Sequence, residues 1–380
     1  MKITARTLSG EICDVQVEGH FFKKITPRKE DILDLPWIAP GLIDLQINGF
    51  GGIDFNRPLE SDDAWHHATA QLYAHGCTGF LLTLITNRKE SYRKFLTDLT
   101  GRINLDPRNC LGFHLEGPWL NPDPGYRGAH NAEWMEKPNL LHLQEWQAIT
   151  GPLLKLITLA PEVDLESAME VIRAGVKKEI KFFIGHSAAM GATLQKAVAA
   201  GASGWTHLGN AAPATVPKFE NVILHALAQP DLMASLIPDG LHLPPHAFRV
   251  LARLLNQANP SRLLLTTDAM AGAAAKKSGA YTLGEVQVEI GADGSARLPG
   301  EGRLAGSTLT PFQGVFQAER MAGIYLEDAW KAFSTRPASL LNLKHGITKG
   351  NSADFCLLSP TKTPYLLATY HRGKCVYEAP

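Results

Sequence analysis

The chain has 380 residues, of which 45% are hydrophobic and 19% charged, so it is long enough for one large α/β barrel or for two domains. Its 37 Lys and Arg residues balance its 37 Asp and Glu residues, which argues against a nucleic-acid or membrane-surface partner. No run reaches transmembrane length, the N-terminus lacks the apolar core of a signal peptide, and the five cysteines form no Cys-x-x-Cys pair. We therefore expect a cytoplasmic protein with reduced cysteines and no thiolate metal site.

Both ends of the chain alternate apolar and polar residues and are interrupted by turn residues, a pattern typical of antiparallel strands. The segments concerned are Met1–Leu8, Ile12–Val17, His20–Ile25, Ser352–Leu358 and Tyr365–Tyr377. They predict a small β-sandwich domain formed from both termini, residues 1–38 plus 347–380. Residues 39–346 are then expected to form a second, larger domain.

The middle of the chain repeats a strand followed by a helix. Eight apolar stretches are candidate parallel strands: Trp37–Ile47, Gly79–Ile85, Leu111–Leu115, Leu154–Leu159, Ile180–Ile184, Gly204–Thr206, Met233–Ile237 and Arg262–Thr267. Helical spacing follows most of them, at Asp62–His75, Glu90–Thr100, Leu165–Ala174, Gly191–Ala200, Asn221–Ala228 and Pro245–Gln257. This alternation predicts an α/β fold, a (β/α)8 TIM-like barrel. An open doubly wound sheet is the alternative, but the loop after the first strand has no Gly-x-Gly-x-x-Gly.

The pattern is interrupted after the eighth strand. Tyr281–Ile290, a turn at 292–294 and Ser295–Leu298 predict a β-hairpin inserted at about residues 280–300. Two further helices, Pro311–Ala322 and Leu326–Leu341, are expected to complete the barrel.

The third strand carries an acid to its end. Leu111–Leu120 is apolar or small except for His114 and Glu116, and it runs into Gly117-Pro118. An apolar run that stops at Gly-Pro predicts a buried strand ending in a loop. Because burying an isolated carboxylate is costly, Glu116 should be protonated, paired or bound to a metal. A salt-bridged structural glutamate is the alternative.

Polar side chains also follow other predicted strands. In a (β/α)8 barrel the active site lies at the C-terminal ends of the strands. Those ends carry Gln46, Asn48, Glu116, His186, His207, Asp239 and Asp268. One carboxylate with two imidazoles suits a catalytic zinc with an open position for water, although iron or another first-row ion would accept the same ligands. We favour a metal site over a purely structural ring of polar residues.

Eight stretches of the chain together match the pattern of a known family: Pro40–Gly49, His114–Pro118, Gly128–His130, Gly185–Ala188, Thr206–Ala211, Asp239–His242, Thr267–Met270 and Leu304–Ser307. By these stretches, which occur in that family's order across most of the chain, the chain resembles the N-acetylglucosamine-6-phosphate deacetylases of the amidohydrolase superfamily.

The resemblance implies a role for each matching residue. Glu116, His186 and His207 would hold one divalent metal, with Asp268 as the catalytic acid/base. His130 would polarise the acetyl carbonyl. Substrate contacts would come from Ala129, His130, Asn210, Ala211, Lys218, Asp239, His242, Leu304, Ala305 and Gly306. Many amidohydrolases have His-x-His on the first strand, where this chain has Gln46-Ile47-Asn48, so one tightly held metal is expected.

Lys218 stands where the family usually has an arginine that pairs with the substrate phosphate. A lysine binds phosphate as a point charge but cannot form the bidentate fork. A solvated charge at a helix start is the alternative for this residue.

The implied activity is hydrolysis of the N-acetyl group of N-acetylglucosamine-6-phosphate, and the resemblance further suggests a homodimer. Alternatives are a deacetylase of N-acetylgalactosamine-6-phosphate or of an unphosphorylated amino sugar, and another amidohydrolase acting on a cyclic amide. A non-catalytic sugar-binding protein ranks last, because it would not need Asp268 beside three metal ligands.

Overall fold

The structure is a computed structural model of the chain and describes residues 1–30, 32–275 and 279–380. Its strands are, in chain order, β1 (Lys2–Thr7), β2 (Ile12–Glu18), β3 (Phe21–Pro27), β4 (Trp37–Pro40), β5 (Leu42–Ile47), β6 (Gly49–Phe50), β7 (Ile53–Asp54), β8 (Cys77–Ile85), β9 (Cys110–Glu116), β10 (Leu154–Leu159), β11 (Lys181–Ile184), β12 (Ala202–Trp205), β13 (Met233–Leu236), β14 (Leu263–Leu265), β15 (Ala280–Leu283), β16 (Val286–Ile290), β17 (Ala296–Arg297), β18 (Phe355–Leu358), β19 (Leu366–His371) and β20 (Lys374–Glu378).

The α-helices lie mostly between the strands of the middle segment. They are α1 (Asp62–Ala74), α2 (Lys89–Leu105), α3 (Leu140–Thr150), α4 (Leu165–Val176), α5 (Gly191–Ala200), α6 (Val222–Ala228), α7 (Pro245–Gln257), α8 (Pro311–Ala322), α9 (Leu326–Ala332) and α10 (Thr335–Leu340). In the described part of the chain, no helix combines the length and apolar character needed to cross a bilayer.

Eight strands form the barrel. They are parallel, in the order β5, β8, β9, β10, β11, β12, β13, β14. The barrel closes where Ile47 of β5 bridges Ala269, which lies four residues after the end of β14. The buried carboxylate of Asp44 adds to this seam, since it accepts hydrogen bonds from the hydroxyls of Thr266 at 2.5 Å and Thr267 at 2.6 Å. The predicted (β/α)8 barrel is confirmed.

The first predicted barrel strand, Trp37–Ile47, is wrong as a single element. Residues 37–40 form β4, which pairs with β1 and β18 in another sheet, and the barrel strand begins at Leu42. Gly41 separates the two because it packs directly against Thr78: an added Cβ would lie 2.0 Å from the Thr78 Oγ1 atom. The chain therefore passes from one sheet to the other at this glycine.

The strands of both termini form one seven-stranded sheet, in the order β20, β19, β18, β4, β1, β2, β3. This sheet curls back on itself, as shown by Phe21 of the edge strand β3, which bridges Ser352 just before β18. The curled face encloses a core of its own that includes Phe22 and Phe355, whose ring centroids lie 5.7 Å apart. A separate β domain built from both ends of the chain is thus confirmed, while the boundaries at residues 38 and 347 stay predictions.

The insertion after β14 has three strands instead of the two predicted. β15 and β16 pair across Gly284, whose φ is +60°, and β16 pairs with β17 across a second turn at Gly294. The predicted arm Tyr281–Ile290 therefore contains a turn of its own. Glycine at the first position of a two-residue hairpin turn supplies the positive φ that such turns require.

One helix prediction is wrong, and one helix was not predicted. The predicted helix Leu326–Leu341 is broken into α9 and α10, because Pro337 has no N–H to donate to the Phe333 carbonyl, which instead accepts the Ile43 N–H at 2.6 Å. Helix α3 was not predicted. Its exposed Leu141 lies outside the buried stripe of Leu143 and Trp146, which obscures the helical period in the sequence.

Candidate active site

Polar side chains collect where the chain leaves the barrel strands. Glu116 is the last residue of β9, and His186, His207 and Asp268 follow β11, β12 and β14 within three residues. The latter three have positive φ angles of 50°, 34° and 51°. A non-glycine residue in this region is strained and persists only where its surroundings hold it there, which is common at active sites. The backbone thus turns sharply and aims each side chain into the barrel mouth.

Glu116 lies at the centre of these side chains and is buried. Its Oε1 atom lies 2.9 Å from Nε2 of His207 and 3.3 Å from Nε2 of His186, and it accepts the Gln46 amide N–H at 2.9 Å. The Oε2 atom faces His130, whose Nε2 lies 3.7 Å away. Burial raises the pKa of Glu116, but the hydrogen bonds and positive charge of His186 and His207 outweigh burial, so the pKa lies well below its ordinary value.

The residues around Glu116 fit a metal ion. His186 Nδ1 lies 2.9 Å from the Tyr126 carbonyl oxygen, which can only accept, so Nδ1 carries a proton. In a neutral His186 the Nε2 lone pair then faces the carboxylate, and two facing acceptors need a cation between them. The buried Nδ1 of His207 has no hydrogen-bond partner among the described residues. An acid with two imidazoles is an established zinc ligand set.

His130 is a third imidazole in reach. One ligand atom each from Glu116, His130 and His186 lie within 4.8 Å of one another, so distance alone admits His130 as a ligand. His186 and His207, however, both approach Oε1, whereas His130 approaches the other carboxylate oxygen. Burial first, and then the charge of His186, lower the pKa of His130 to about 3. The His130 ring is therefore neutral near pH 7, with Nδ1 3.0 Å from the Thr86 hydroxyl.

Asp268 stands apart from the Glu116 cluster in its hydrogen bonding. Its Oδ1 atom accepts the Asn48 amide N–H at 2.7 Å. Burial, and then the negative charge of Glu116, raise the pKa of Asp268 to about 8. A carboxyl whose pKa lies near neutrality can both take up and release a proton, which is the property that general acid–base catalysis needs.

The cluster forms one wall of a cavity of about 320 Å³. Its lining includes most of the predicted site residues: Glu116, Ala129, His130, His186, His207, Asn210, Ala211, His242, Asp268, Leu304, Ala305 and Gly306. Asp239 does not line it but accepts from His242, with 2.6 Å between Oδ2 and Nδ1. Lys218 is exposed and outside the lining, with its Nζ 5.3 Å from the centre of the Phe219 ring.

Several lining residues were not predicted. Ile85 at the end of β8 and Leu283 of β15 give the cavity an apolar side. Arg303 lines it next to the predicted stretch Leu304–Gly306. Its charge, directly before that stretch, was the available signal in the sequence. The apolar Leu283 carried none, because its place depends on how the insertion folds back over the barrel.

A barrel with an acid, imidazoles and a second acid at its C-terminal end is the architecture of a metal-dependent hydrolase. The amidohydrolase family matches residues 37–376. The N-acetylglucosamine-6-phosphate deacetylase of Rattus norvegicus is 34% identical over 356 residues, covering 90% of this chain and 84% of that protein. The enzyme of that name from Bacillus subtilis (strain 168) is 32% identical over 331 residues, covering 85% and 80%.

Solved structures agree with these relatives. A mutant N-acetyl-D-glucosamine-6-phosphate deacetylase from Mycobacterium smegmatis, in complex with N-acetyl-D-glucosamine-6-phosphate, superposes with a TM-score of 0.88 at 25% identity, covering 99% of both chains. The deacetylase from Thermotoga maritima has a TM-score of 0.86 at 27% identity, again covering 99% of both. The chain belongs to the amidohydrolase family and, within it, to the N-acetylglucosamine-6-phosphate deacetylases.

Proposed function

We propose that this chain hydrolyses the N-acetyl group of N-acetylglucosamine-6-phosphate to give glucosamine-6-phosphate and acetate. The observation that carries the proposal is that two carboxylates with different surroundings line one cavity. Glu116 is surrounded by imidazoles, and Asp268 is held by an amide with its pKa near neutrality. The first suits a metal ligand and the second a proton carrier. The relatives at 32–34% identity support the choice of substrate.

We propose that Glu116, His186 and His207 hold one divalent ion, and that this ion is zinc. A zinc ion held there would supply Lewis acidity and lower the pKa of a water molecule toward neutrality. Gln46 and Asn48 support a single ion. Their side-chain amides donate hydrogen bonds to Glu116 and Asp268, whereas many amidohydrolases have two histidines at these first-strand positions that could bind a second metal.

Asp268 would move the proton. Asn48 occupies its Oδ1 atom, which leaves Oδ2 to accept a proton from the attacking water as the new C–O bond forms. As the C–N bond breaks, the same oxygen would return the proton to the departing sugar amine, and acetate would leave. A divalent cation held nearby would lower the pKa of Asp268 from about 8, so the carboxyl would be ionised and ready to act as a base near pH 7.

His130 would stabilise the carbonyl oxygen as it becomes negative. If the Thr86 hydroxyl donates to Nδ1, the ring proton is on Nε2, which faces Glu116 and the cavity. A neutral donor held in a buried site needs no reorganisation during the reaction.

The remaining predicted contacts would bind the sugar. Ala129, Asn210, Ala211, His242 and Leu304–Gly306 line the cavity wall beyond the metal ligands, and Asp239 orients the His242 ring. The substrate contact of Lys218 stays a prediction. We also propose a cytoplasmic homodimer; Phe219, 70% exposed on the loop beyond the site, is an apolar side chain that a second subunit would cover. Sedimentation of the purified protein tests this assembly.

The substrate is tested by acetate release from N-acetylglucosamine-6-phosphate, N-acetylgalactosamine-6-phosphate and N-acetylglucosamine, with zinc supplied. The proposal predicts the highest kcat/KM for the first. A preference for the galactosamine epimer or for the free sugar would move the assignment to that substrate. Turnover of none of the three by zinc-loaded protein would contradict a deacetylase.

A further inference from the structure

A half-buried carboxylate without a role in the proposed reaction lies beside the segment that carries His186. Glu162 follows the end of β10 by three residues, so it stands at the same end of the barrel as the proposed metal ligands. It does not line the cavity and therefore does not touch the substrate. Any effect of Glu162 on the metal centre must act through its neighbours.

Three neutral donors share this carboxylate. Its Oε1 atom accepts from the Ala188 backbone N–H at 2.5 Å and from the Asn121 side-chain amide at 2.9 Å. Its Oε2 atom accepts from the Ser187 hydroxyl at 2.7 Å. Hydrogen bonds to an ionised carboxylate are shorter and stronger than those between neutral groups. Glu162 therefore ties together two segments that are far apart in the sequence.

Both of these segments hold His186. Ser187 and Ala188 directly follow it in the chain, and the Asn121 backbone N–H donates to the His186 carbonyl oxygen at 3.0 Å. The loop that begins at Asn121 also supplies the Tyr126 carbonyl oxygen, which accepts from Nδ1 of His186 at 2.9 Å. The φ angle of His186 is +50°, a conformation that persists only where the surroundings impose it. Glu162 is the group that joins those surroundings.

The other histidine of the proposed ligand set is held in a related way. His207 has a φ angle of +34°, and its backbone N–H donates at 2.8 Å to the hydroxyl of Ser235 on the neighbouring strand β13. A side chain from an adjacent strand or its loop thus fixes the backbone at both histidines. At His186 this side chain is a carboxylate with three donors, so its loss would release more than one hydrogen bond.

We propose that Glu162 is a positioning residue for the metal centre. It holds the backbone after His186 and the start of the loop at residues 121–130 together, and so keeps Nε2 of His186 directed at Glu116. The proposal rests on the proposed metal ligands, because it acts on one of them.

The test is zinc titration calorimetry on the full-length wild type, E162A and E162Q. Removing the carboxylate should raise the zinc Kd about 10- to 100-fold, the usual cost of losing a group that orients a metal ligand. E162Q should recover part of the loss, because its amide oxygen can still accept from Ala188 and Asn121. S187A removes one of the three donors and should weaken zinc binding less than E162A. The zinc Kd of the double variant E162A/S187A should lie close to that of E162A, because both changes break the same hydrogen bond.

D164A is the matched control. Asp164 lies two residues further along the same loop, accepts from the Ser167 backbone N–H at the start of α4, and does not line the cavity. Losing this helix cap should lower the Tm of the zinc-free protein while the zinc Kd stays within about twofold of the wild-type value.

A zinc Kd for E162A within about twofold of wild type would overturn the proposal. An equal loss of zinc affinity in D164A would overturn it as well, because the loop as a whole, rather than the Glu162 hydrogen bonds, would then support the ligand. If E162A does not fold, E162Q and S187A decide: a raised Kd in either supports the positioning role, and a wild-type Kd in both overturns it. A wild type that binds no zinc would instead refute the proposed metal centre.

Discussion

The choice between His207 and His130 as the third metal ligand leads to the sharpest prediction. Neighbouring ligand atoms on a tetrahedral zinc, with bonds of about 2.0–2.2 Å, lie about 3.3–3.5 Å apart. His186 lies 3.3 Å from Glu116 Oε1 and His207 2.9 Å from the same atom, so one ion can contact all three after small shifts. His130 lies 3.7 Å from the other carboxylate oxygen.

We therefore expect His207→Gln to weaken zinc binding and His130→Gln to leave it largely unchanged. Loss of a group that only supports a ligand costs about 10–100-fold in metal affinity, so loss of a ligand should cost at least about 100-fold. At fixed excess zinc, 100-fold corresponds to about 2.7 kcal/mol less zinc-dependent stabilisation. For a chain of this length that reduces the zinc-induced rise in Tm by about 3 °C.

Zinc titration calorimetry and thermal unfolding with and without zinc measure both effects. His66→Gln is the control, because this exposed histidine pairs with Asp106 and neither residue lines the cavity. His130→Gln should keep the zinc affinity and the Tm increment while losing kcat. If His130→Gln loses zinc and His207→Gln retains it, the ligand set proposed here is wrong.

The remaining predictions concern the acid–base group, the barrel and the metal. Asn48→Ala should lower kcat about tenfold and move the acidic limb of the pH–rate profile to higher pH. Removing the amide hydrogen bond raises the pKa of Asp268, and the protonated carboxyl cannot act as a base. An acidic limb that stays at the wild-type pH would contradict this. Gly112→Ala should lower the free energy of unfolding, measured in urea, by at least about 3 kcal/mol, since the φ of Gly112 is +136° and the new Cβ would lie 2.1 Å from the Leu153 carbonyl oxygen. Gly101→Ala is the control: Gly101 lies in a helix with open space around it, so this change should raise the free energy of unfolding by about 0.5–1 kcal/mol. Dialysis against a chelator should abolish acetate release and added zinc should restore it; full activity without metal would refute the metal centre.

The location of the site residues could be predicted because each of them directly follows a predicted barrel strand or ends one. Apolar strands are recognisable from local sequence, and parallel strands in a closed barrel bring their C-terminal ends together. The sequence alone could thus group Glu116, His186, His207 and Asp268 in one site. The local pattern could not show that Oε1 of Glu116 is shared by two imidazoles, because that depends on side-chain rotamers and on the positive φ at each strand end.

Features fixed by tertiary contacts were not predictable. The split of Trp37–Ile47 depends on Thr78 packing against Gly41, which lies 37 positions away in the sequence. The break between α9 and α10 depends on the Phe333 carbonyl accepting the Ile43 N–H from the first barrel strand. Arg303 joins the cavity only because the insertion after β14 folds toward the Gly128 loop. In each case the deciding partner is distant in sequence.

The central claim is tested most directly by measuring acetate release from N-acetylglucosamine-6-phosphate by wild type and Asp268→Asn, each with its zinc content determined. The account predicts equal zinc in both proteins, acetate release by the wild type, and a rate about 100- to 10,000-fold lower in the variant, the usual contribution of a general acid–base group. A variant that releases acetate at the wild-type rate, or a zinc-loaded wild type that releases none, would contradict it.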